Sequence, residues 1–246
     1  MNDINYNLHY SRYHNFSPDN VSQMSSYFWR SIKGYIPIDP GARLLEIGCG
    51  AGFCLLALRD NGYTNYLGID IDKTQIEIAK RLGAEALHVP ASEQPAFFSD
   101  KNEFYDCVIA FDVLEHIPVS EQLNLLEKIR SCLKPGGKFI CQVPNALSPI
   151  ASFQRYVDWT HTSAFTPDSI EFLFRSAGLV PQSFRSSFDP EPRRSKLTSI
   201  LVYLLKHSLR FFVRTCWRLV LISELGLRRG VSTDITPNFI CVATKQ

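Results

Sequence analysis

Apolar and polar positions alternate in blocks along this chain, and the blocks predict an α/β protein. Leu44-Leu45-Glu46-Ile47 is a mostly apolar run that ends abruptly in Gly48-Cys49-Gly50-Ala51-Gly52. The apolar stretch Phe53 to Leu58 follows, with the character of a buried helix. A short apolar run, a glycine turn and a helix form a strand-turn-helix unit. Asn65–Asp70 then predicts a second strand, about 73–82 a helix, Ala86–Val89 a third strand, and Phe104–Phe111 a fourth buried on both faces. A helix over about 121–133 runs into Lys134-Pro135-Gly136-Gly137, which predicts a sharp stop before a fifth strand at 138–144.

The flanks are less regular. A helix is expected from about Val21 to Lys33, behind a polar and aromatic arm containing Tyr6, Tyr10, Arg12, Tyr13 and His14. Thr166-Pro167-Asp168 starts a helix that Gly178 ends. Residues 196–224 are apolar but threaded with Lys206, His207, Arg210, Arg214 and Arg218, and the 207, 210, 214, 218 spacing draws one basic stripe along a helix. Asn238–Thr244 reads as a closing antiparallel edge strand. Together these divide the chain into an N-terminal arm (1–40) and a doubly wound domain (41–246). That domain carries a basic helical insertion at about 193–229.

Composition changes this picture in two places. The chain has 246 residues and a net charge of +2, yet residues 193–229 hold nine Lys/Arg against Glu224 alone, so an anionic partner for that insertion is expected. The seven cysteines are odd in number and form no C-x-x-C pair, so the spacing supports neither a disulfide framework nor a zinc site, and no metal is expected. The N-terminus has no basic-then-apolar signal, and no apolar run reaches the ~18 residues of a membrane span. A cytoplasmic protein is expected.

The chemistry lies at the strand ends. The glycine turn lacks the third Gly of a dinucleotide fingerprint, Phe53 standing there, and no Lys-Ser or Lys-Thr makes it a P-loop. Asp70 ends the second strand twenty residues beyond Gly50, where a carboxylate can accept from both ribose hydroxyls of an adenosine ligand. It could instead cap the next helix, a role open to Asp72 as well. Asp112, Glu115 and His116 follow the fourth strand. His116 suits proton removal from a hydroxyl, or could be a structural histidine capping its loop.

Glu46-x-Gly48-x-Gly50-x-Gly52, Phe111-Asp112-Val113-Leu114-Glu115-His116-Ile117 and Leu133-Lys134-Pro135-Gly136-Gly137 resemble motifs of the class I S-adenosylmethionine-dependent methyltransferases. Within them the chain is most similar to small-molecule O-methyltransferases of ubiquinone biosynthesis and polysaccharide clusters. The resemblance implies a Rossmann-like, seven-stranded, mostly parallel sheet with an antiparallel last strand. It implies S-adenosylmethionine as cofactor, held by Glu46, Gly48, Cys49, Gly50, Gly52, Asp70, Ile71, Ala91, Ser92, Phe111 and Asp112. Pro90 replaces an Asp common in the family, which leaves Ser92 or a backbone carbonyl to meet the adenine. The Thr160-His161 and Phe165-Thr166-Pro167 pieces make His161 a second base candidate beside His116. No Asn-Pro-Pro-Tyr or Pro-Cys motif points to nucleic-acid bases, so no nucleic acid is expected. The acceptor reading is a sugar hydroxyl on a lipid-linked glycan or other surface-polysaccharide intermediate, with a polyprenyl aromatic hydroxyl as the alternative. Peripheral membrane contact through 196–224 and a homodimer are further expectations, and a non-catalytic cofactor-binding docking protein is the reading of another class.

Overall fold

The computed structural model describes residues 16–186, 197–232 and 234–246. The aromatic arm ahead of Phe16 and the Pro-rich stretch 188–194 lie outside the described residues.

Seven strands form one sheet: β1 (Leu44–Ile47), β2 (Tyr66–Asp70), β3 (Ala86–His88), β4 (Tyr105–Phe111), β5 (Leu133–Pro144), β6 (Leu179–Ser186) and β7 (Asn238–Lys245). Their order is β3-β2-β1-β4-β5-β7-β6. β1 and β4 lie side by side in parallel, and the chain winds outward from them in opposite directions. Such a switch point opens a crevice beyond the carboxyl ends of the strands.

Side-chain alternation on the strands explains the layers. Leu44, Cys107, Ile109, Ile140 and Val242 point to one face and bury Ile32, Leu55, Leu56 and Ile76. These come from α1 (Pro18–Ile32), α2 (Phe53–Asp60) and α3 (Lys73–Arg81). Leu45, Val108, Phe139, Cys141 and Ala243 point to the other face. There they meet Phe98 of α4 (Gln94–Ser99), Leu126 and Ile129 of α5 (Val119–Cys132) and Phe174 of α7 (Pro167–Ser176). Each fully buried large apolar side chain contributes about 1.5–3 kcal/mol. A sheet covered on both faces is the reason its central strands read as continuous apolar runs. The short α6 (Ala151–Tyr156) buries none of its residues.

Three expectations are corrected. β5 begins at Leu133, directly after α5, so Lys134-Pro135-Gly136-Gly137 lies within the strand rather than ahead of it. Gly136, at φ 75°, takes up the irregular register beside Tyr105 and Cys107, and Lys134 Nζ is held 2.7 Å from Asp106. β7 is antiparallel as expected but lies inside the sheet, between β5 and β6. The edge is β6, a half-exposed strand with Pro181 at a register shift, where a missing N–H is tolerated.

The third concerns the insertion. It forms the 29-residue helix α8 (Leu197–Leu225) and, after a turn at Gly226, α9 (Leu227–Ser232). The basic stripe is divided: His207, Arg214 and Arg218 are half-buried, with Arg218 donating to the Val231 carbonyl, whereas Arg210 and the neighbouring Lys206 are exposed. Trp217 Nε1 donates to Leu147 O at 2.8 Å and ties the helix to the loop after β5. The outward side is apolar, with Leu201, Leu205, Leu209, Phe212 and Leu219 each more than 60% exposed. No helix among the described residues is long and apolar enough to cross a membrane.

Candidate active site

The glycine turn is built for close approach. Gly48 has φ 69°, and a Cβ there would lie 2.5 Å from Val113 Cγ2. Gly52, at φ 82°, packs its bare Cα between Ala84 and Ala79, which brings α3 against the start of α2. Gly48 N and Cys49 N both donate to Ile69 O, at 2.8 and 3.1 Å.

Asp70 holds this turn in place. Its Oδ2 accepts from Gly50 N and its Oδ1 from Asp72 N, both at 2.8 Å. Asp72 is the cap of α3, accepting from Thr74 N and Gln75 N, so Asp70 is not needed for that role. A carboxylate has about four acceptor positions, so two remain for hydroxyl donors. Burial raises the Asp70 carboxyl above its ordinary value, and the N–H groups of Asp72 and Gly50 oppose that rise. Glu46 is fully enclosed, and burial pushes its carboxyl well up despite a hydrogen bond from Cys54. Its Oε2 has no partner among the described residues. An orphaned buried carboxylate oxygen fits a cationic ligand group.

These groups line a cavity of about 650 Å³ at the ends of β1, β2 and β4. Glu46, Gly48, Cys49, Gly50, Asp70, Ile71, Phe111 and Asp112 all line it, with both His116 and His161. Gly52, Ala91 and Ser92 do not; Gly52 serves packing, and Ala91 and Ser92 are exposed on the turn before α4, where Gln94 lines the cavity instead.

The wall opposite the glycines comes from α1. Phe28 stacks on Phe111 at 5.4 Å. Tyr27 OH donates to Gln142 Oε1 at 2.7 Å, and Gln142 Nε2 donates to both oxygens of Asp112, at 3.1 and 3.0 Å. Asp112 has φ 55°, a left-handed conformation uncommon for a residue with a Cβ. Asp112 is exposed and lines the cavity, yet the surrounding protein raises its carboxyl to about 6, with the Gln142 bond opposing.

Beyond Asp112, a 3-10 turn (Leu114–His116) places Glu115 and His116 on the cavity wall. Glu115 is 1% exposed, its carboxyl pushed well up by burial and by the nearby Asp112, and its Oε2 has no partner among the described residues. His116 Nδ1 lies 2.8 Å from Thr160 Oγ1, which in turn donates to Asp158 Oδ1 at 2.6 Å. His161 Nδ1 lies 2.8 Å from Gln154 O. The two imidazoles meet edge to face at 4.7 Å, so both base candidates occupy one place. Glu115, His116 and His161 also offer ligand atoms within 4.8 Å of one another, a donor set able to hold a divalent cation that chain spacing did not suggest.

A family model described as a methyltransferase domain matches residues 19–183. The chain belongs to that methyltransferase family. It is an S-adenosylmethionine-dependent enzyme, and the cavity fits that cofactor: Asp70 for ribose hydroxyls, an orphaned Glu46 oxygen for a cationic group, and a bare Gly48 between them. The ubiquinone biosynthesis O-methyltransferase of Cereibacter sphaeroides is 32% identical over 175 residues, 65% of this chain and 69% of that one. Among solved structures, an S-adenosylmethionine-dependent methyltransferase from Archaeoglobus fulgidus covers 98% of this chain and 100% of its own, at TM-score 0.67 and 16% identity. Phosphoethanolamine N-methyltransferase 2 of Haemonchus contortus, solved with S-adenosylmethionine, covers 99% of this chain and 60% of its own at TM-score 0.57 and 18% identity. At such identities the structures speak for the fold. The methyltransferase's Tyr27, Gln142 and Asp158 carry no motif, and each is found only by the partner it meets; Thr160 stands in the Thr160-His161 piece, but its bond to His116 is seen only in the fold.

Proposed function

We propose that this methyltransferase transfers the methyl group of S-adenosylmethionine to a hydroxyl of a small aromatic acceptor, with His116 or His161 taking the hydroxyl proton. The carrying observation is the pair of imidazoles beside a buried carboxylate on the wall of the cofactor cavity. The sulfonium supplies an already activated methyl. Asp70 and Glu46 hold the cofactor, and Asp112, fixed by Gln142, holds the turn that presents Glu115 and His116. Much of the rate then comes from placing the acceptor oxygen in line with the methyl, and the base contributes the rest.

The acceptor reading moves to the aromatic alternative. The Cereibacter sphaeroides relative is a ubiquinone biosynthesis O-methyltransferase, and the described cavity lining has Ile117, Pro144, Phe153 and Val157 but no Lys or Arg. Among the described residues a diphosphate-linked glycan would find carboxylates there and no Lys or Arg, so the sugar-hydroxyl reading lacks support. The test compares catechol with a nucleotide sugar by release of S-adenosylhomocysteine. Turnover of catechol alone is expected, and turnover of the sugar alone would reverse the reading. His116→Ala and His161→Ala separate the base, whose loss should cost ~10²–10⁴ in rate with cofactor affinity intact. The donor set of Glu115, His116 and His161 carries a second reading, in which a bound cation activates the hydroxyl. Chelator leaves turnover unchanged if a histidine is the base and abolishes it if the cation acts.

The α8 surface belongs to the same reading. Its outward apolar side chains lie on a segment with six Lys/Arg (206–229) against Glu224. That pairing suits peripheral contact with an anionic lipid surface, where a hydrophobic acceptor would concentrate. A second copy would set like charge against like, which disfavours a homodimer through this face.

A further inference from the structure

We infer that Asp158 and Thr160 are positioning residues that fix the tautomer of His116, leaving Nε2 as its basic nitrogen. The inference rests on His116 acting as the base of the proposed reaction, but the atoms involved can be followed without any acceptor.

A threonine hydroxyl carries one proton and two acceptor lone pairs. Thr160 Oγ1 lies 2.6 Å from Asp158 Oδ1, within the short range of a hydroxyl donating to an ionised carboxylate. The ionised carboxylate can only accept, so the hydroxyl proton lies in that bond. Thr160 N donates to the same Oδ1 at 2.8 Å, which fixes the carboxylate over its own turn. Thr160 Oγ1 therefore has only lone pairs left for His116 Nδ1, 2.8 Å away. The proton of that bond must be on the ring, as Nδ1–H. In the neutral imidazole the lone pair then lies on Nε2, in a ring that lines the cavity.

His161 gives an independent parallel. Its Nδ1 faces the Gln154 carbonyl, which can only accept, so this ring too carries its proton on Nδ1. The two histidines reach the same tautomer by different partners, and in both the Nε2 nitrogen is the basic one. Free histidine in water favours the opposite tautomer only modestly, so one hydrogen bond of ~1 kcal/mol decides the matter.

The step this arrangement serves is balanced. The acceptor O–H gives its proton to His116 Nε2, and the oxygen forms a bond to the cofactor's methyl carbon. The S–CH₃ bond breaks with its electron pair going to sulfur, which leaves neutral S-adenosylhomocysteine and a doubly protonated imidazole. Asp158, negative and two hydrogen bonds away, stabilises that imidazolium through Thr160. A carboxylate that orients and stabilises a histidine in this way recurs in unrelated enzymes.

The test is side-chain ¹⁵N correlation spectroscopy on the histidines of the whole chain, with turnover of catechol measured beside it. In the wild type, His116 should carry its proton on Nδ1. Thr160→Val, which keeps the shape and removes the oxygen, should shift His116 toward Nε2–H and lower kcat about 10- to 100-fold, the scale for groups that orient an imidazole. S-adenosylmethionine affinity should hold. Thr160→Ser should restore both the tautomer and the rate, which a purely packing role for the threonine would not do. A wild-type His116 protonated on Nε2, or a Thr160→Val protein with Nδ1–H unchanged, would overturn the inference. Full activity in His116→Ala, with Nδ1–H seen in the wild type, would instead remove the base reading and leave the tautomer assignment standing.

Discussion

Single carboxylates carry most of what can be measured in this site. Asp70 accepts from Gly50 N and Asp72 N and has acceptor capacity left for the ribose. Asp70→Ala should weaken S-adenosylmethionine binding by roughly 1.5–3 kcal/mol, the scale of lost charge-assisted hydrogen bonds, as read by isothermal titration. Unchanged affinity would take Asp70 out of the site. Asp112 predicts a pH effect on stability. Its carboxyl is raised from 3.8 to about 6 by burial, so the folded protein binds that proton more tightly than the unfolded chain does. Stability from this group is therefore present below about pH 4 and falls as pH rises through about 6. Asp112→Asn should make the protein more resistant to urea than the wild type at pH 8, with the difference closing towards pH 4. An equal difference at both pH values would mean that the carboxyl is not raised.

At the scale of elements, the turn between β1 and α2 does more than approach a ligand. Gly48 stands at φ 69° with Val113 where its Cβ would be, so the turn after β1 and the turn after β4 are packed on each other. Gly48→Ala should therefore lower stability by about 1–3 kcal/mol from backbone strain alone and disturb the placement of Asp112 and Glu115. Adding Val113→Ala should relieve the clash and recover part of the melting temperature but not all of it, because the positive φ remains. Full recovery would show that crowding, and not backbone conformation, is what requires glycine. The same packing explains how a change in the glycine turn can reach Glu115 and His116 without touching them.

Across the whole molecule, the question is what covers α8. Wild-type protein is expected to float with vesicles containing anionic lipid and to be released by high salt, each basic residue near the surface contributing ~1 kcal/mol. A variant carrying Leu205→Glu, Leu209→Glu and Phe212→Glu should stay in solution while keeping its turnover of catechol. If the wild type ignores vesicles and runs as a dimer that this variant dissociates, the apolar face belongs to a second copy. The helix is anchored to the catalytic body by Trp217 at Leu147, in the loop that leads to α6 and His161, so either occupant would sit beside the acceptor side of the cavity.

Where the chain's chemistry is local, the sequence alone determined the outcome. The apolar runs of β1 and β4 bury both faces, the glycines after β1 need their positive φ, and Asp70 and Asp112 stand at strand ends; period and neighbour specify all of these. The capped start of α7 at Thr166 is of the same kind. The tertiary structure alone decided what depends on partners far along the chain. Gln142 meets Tyr27 across 115 positions and His116 meets Thr160 across 44, and no local pattern records such a meeting. β6 is half-exposed and interrupted by Pro181, so its pairing with β7, not its own periodicity, makes it a strand. The basic stripe of α8 was legible, but a stripe has no inside until the helix is docked. Trp217 ties it to the loop after β5 and Arg218 ties it to α9, while Arg210 and most of its apolar residues are left facing out.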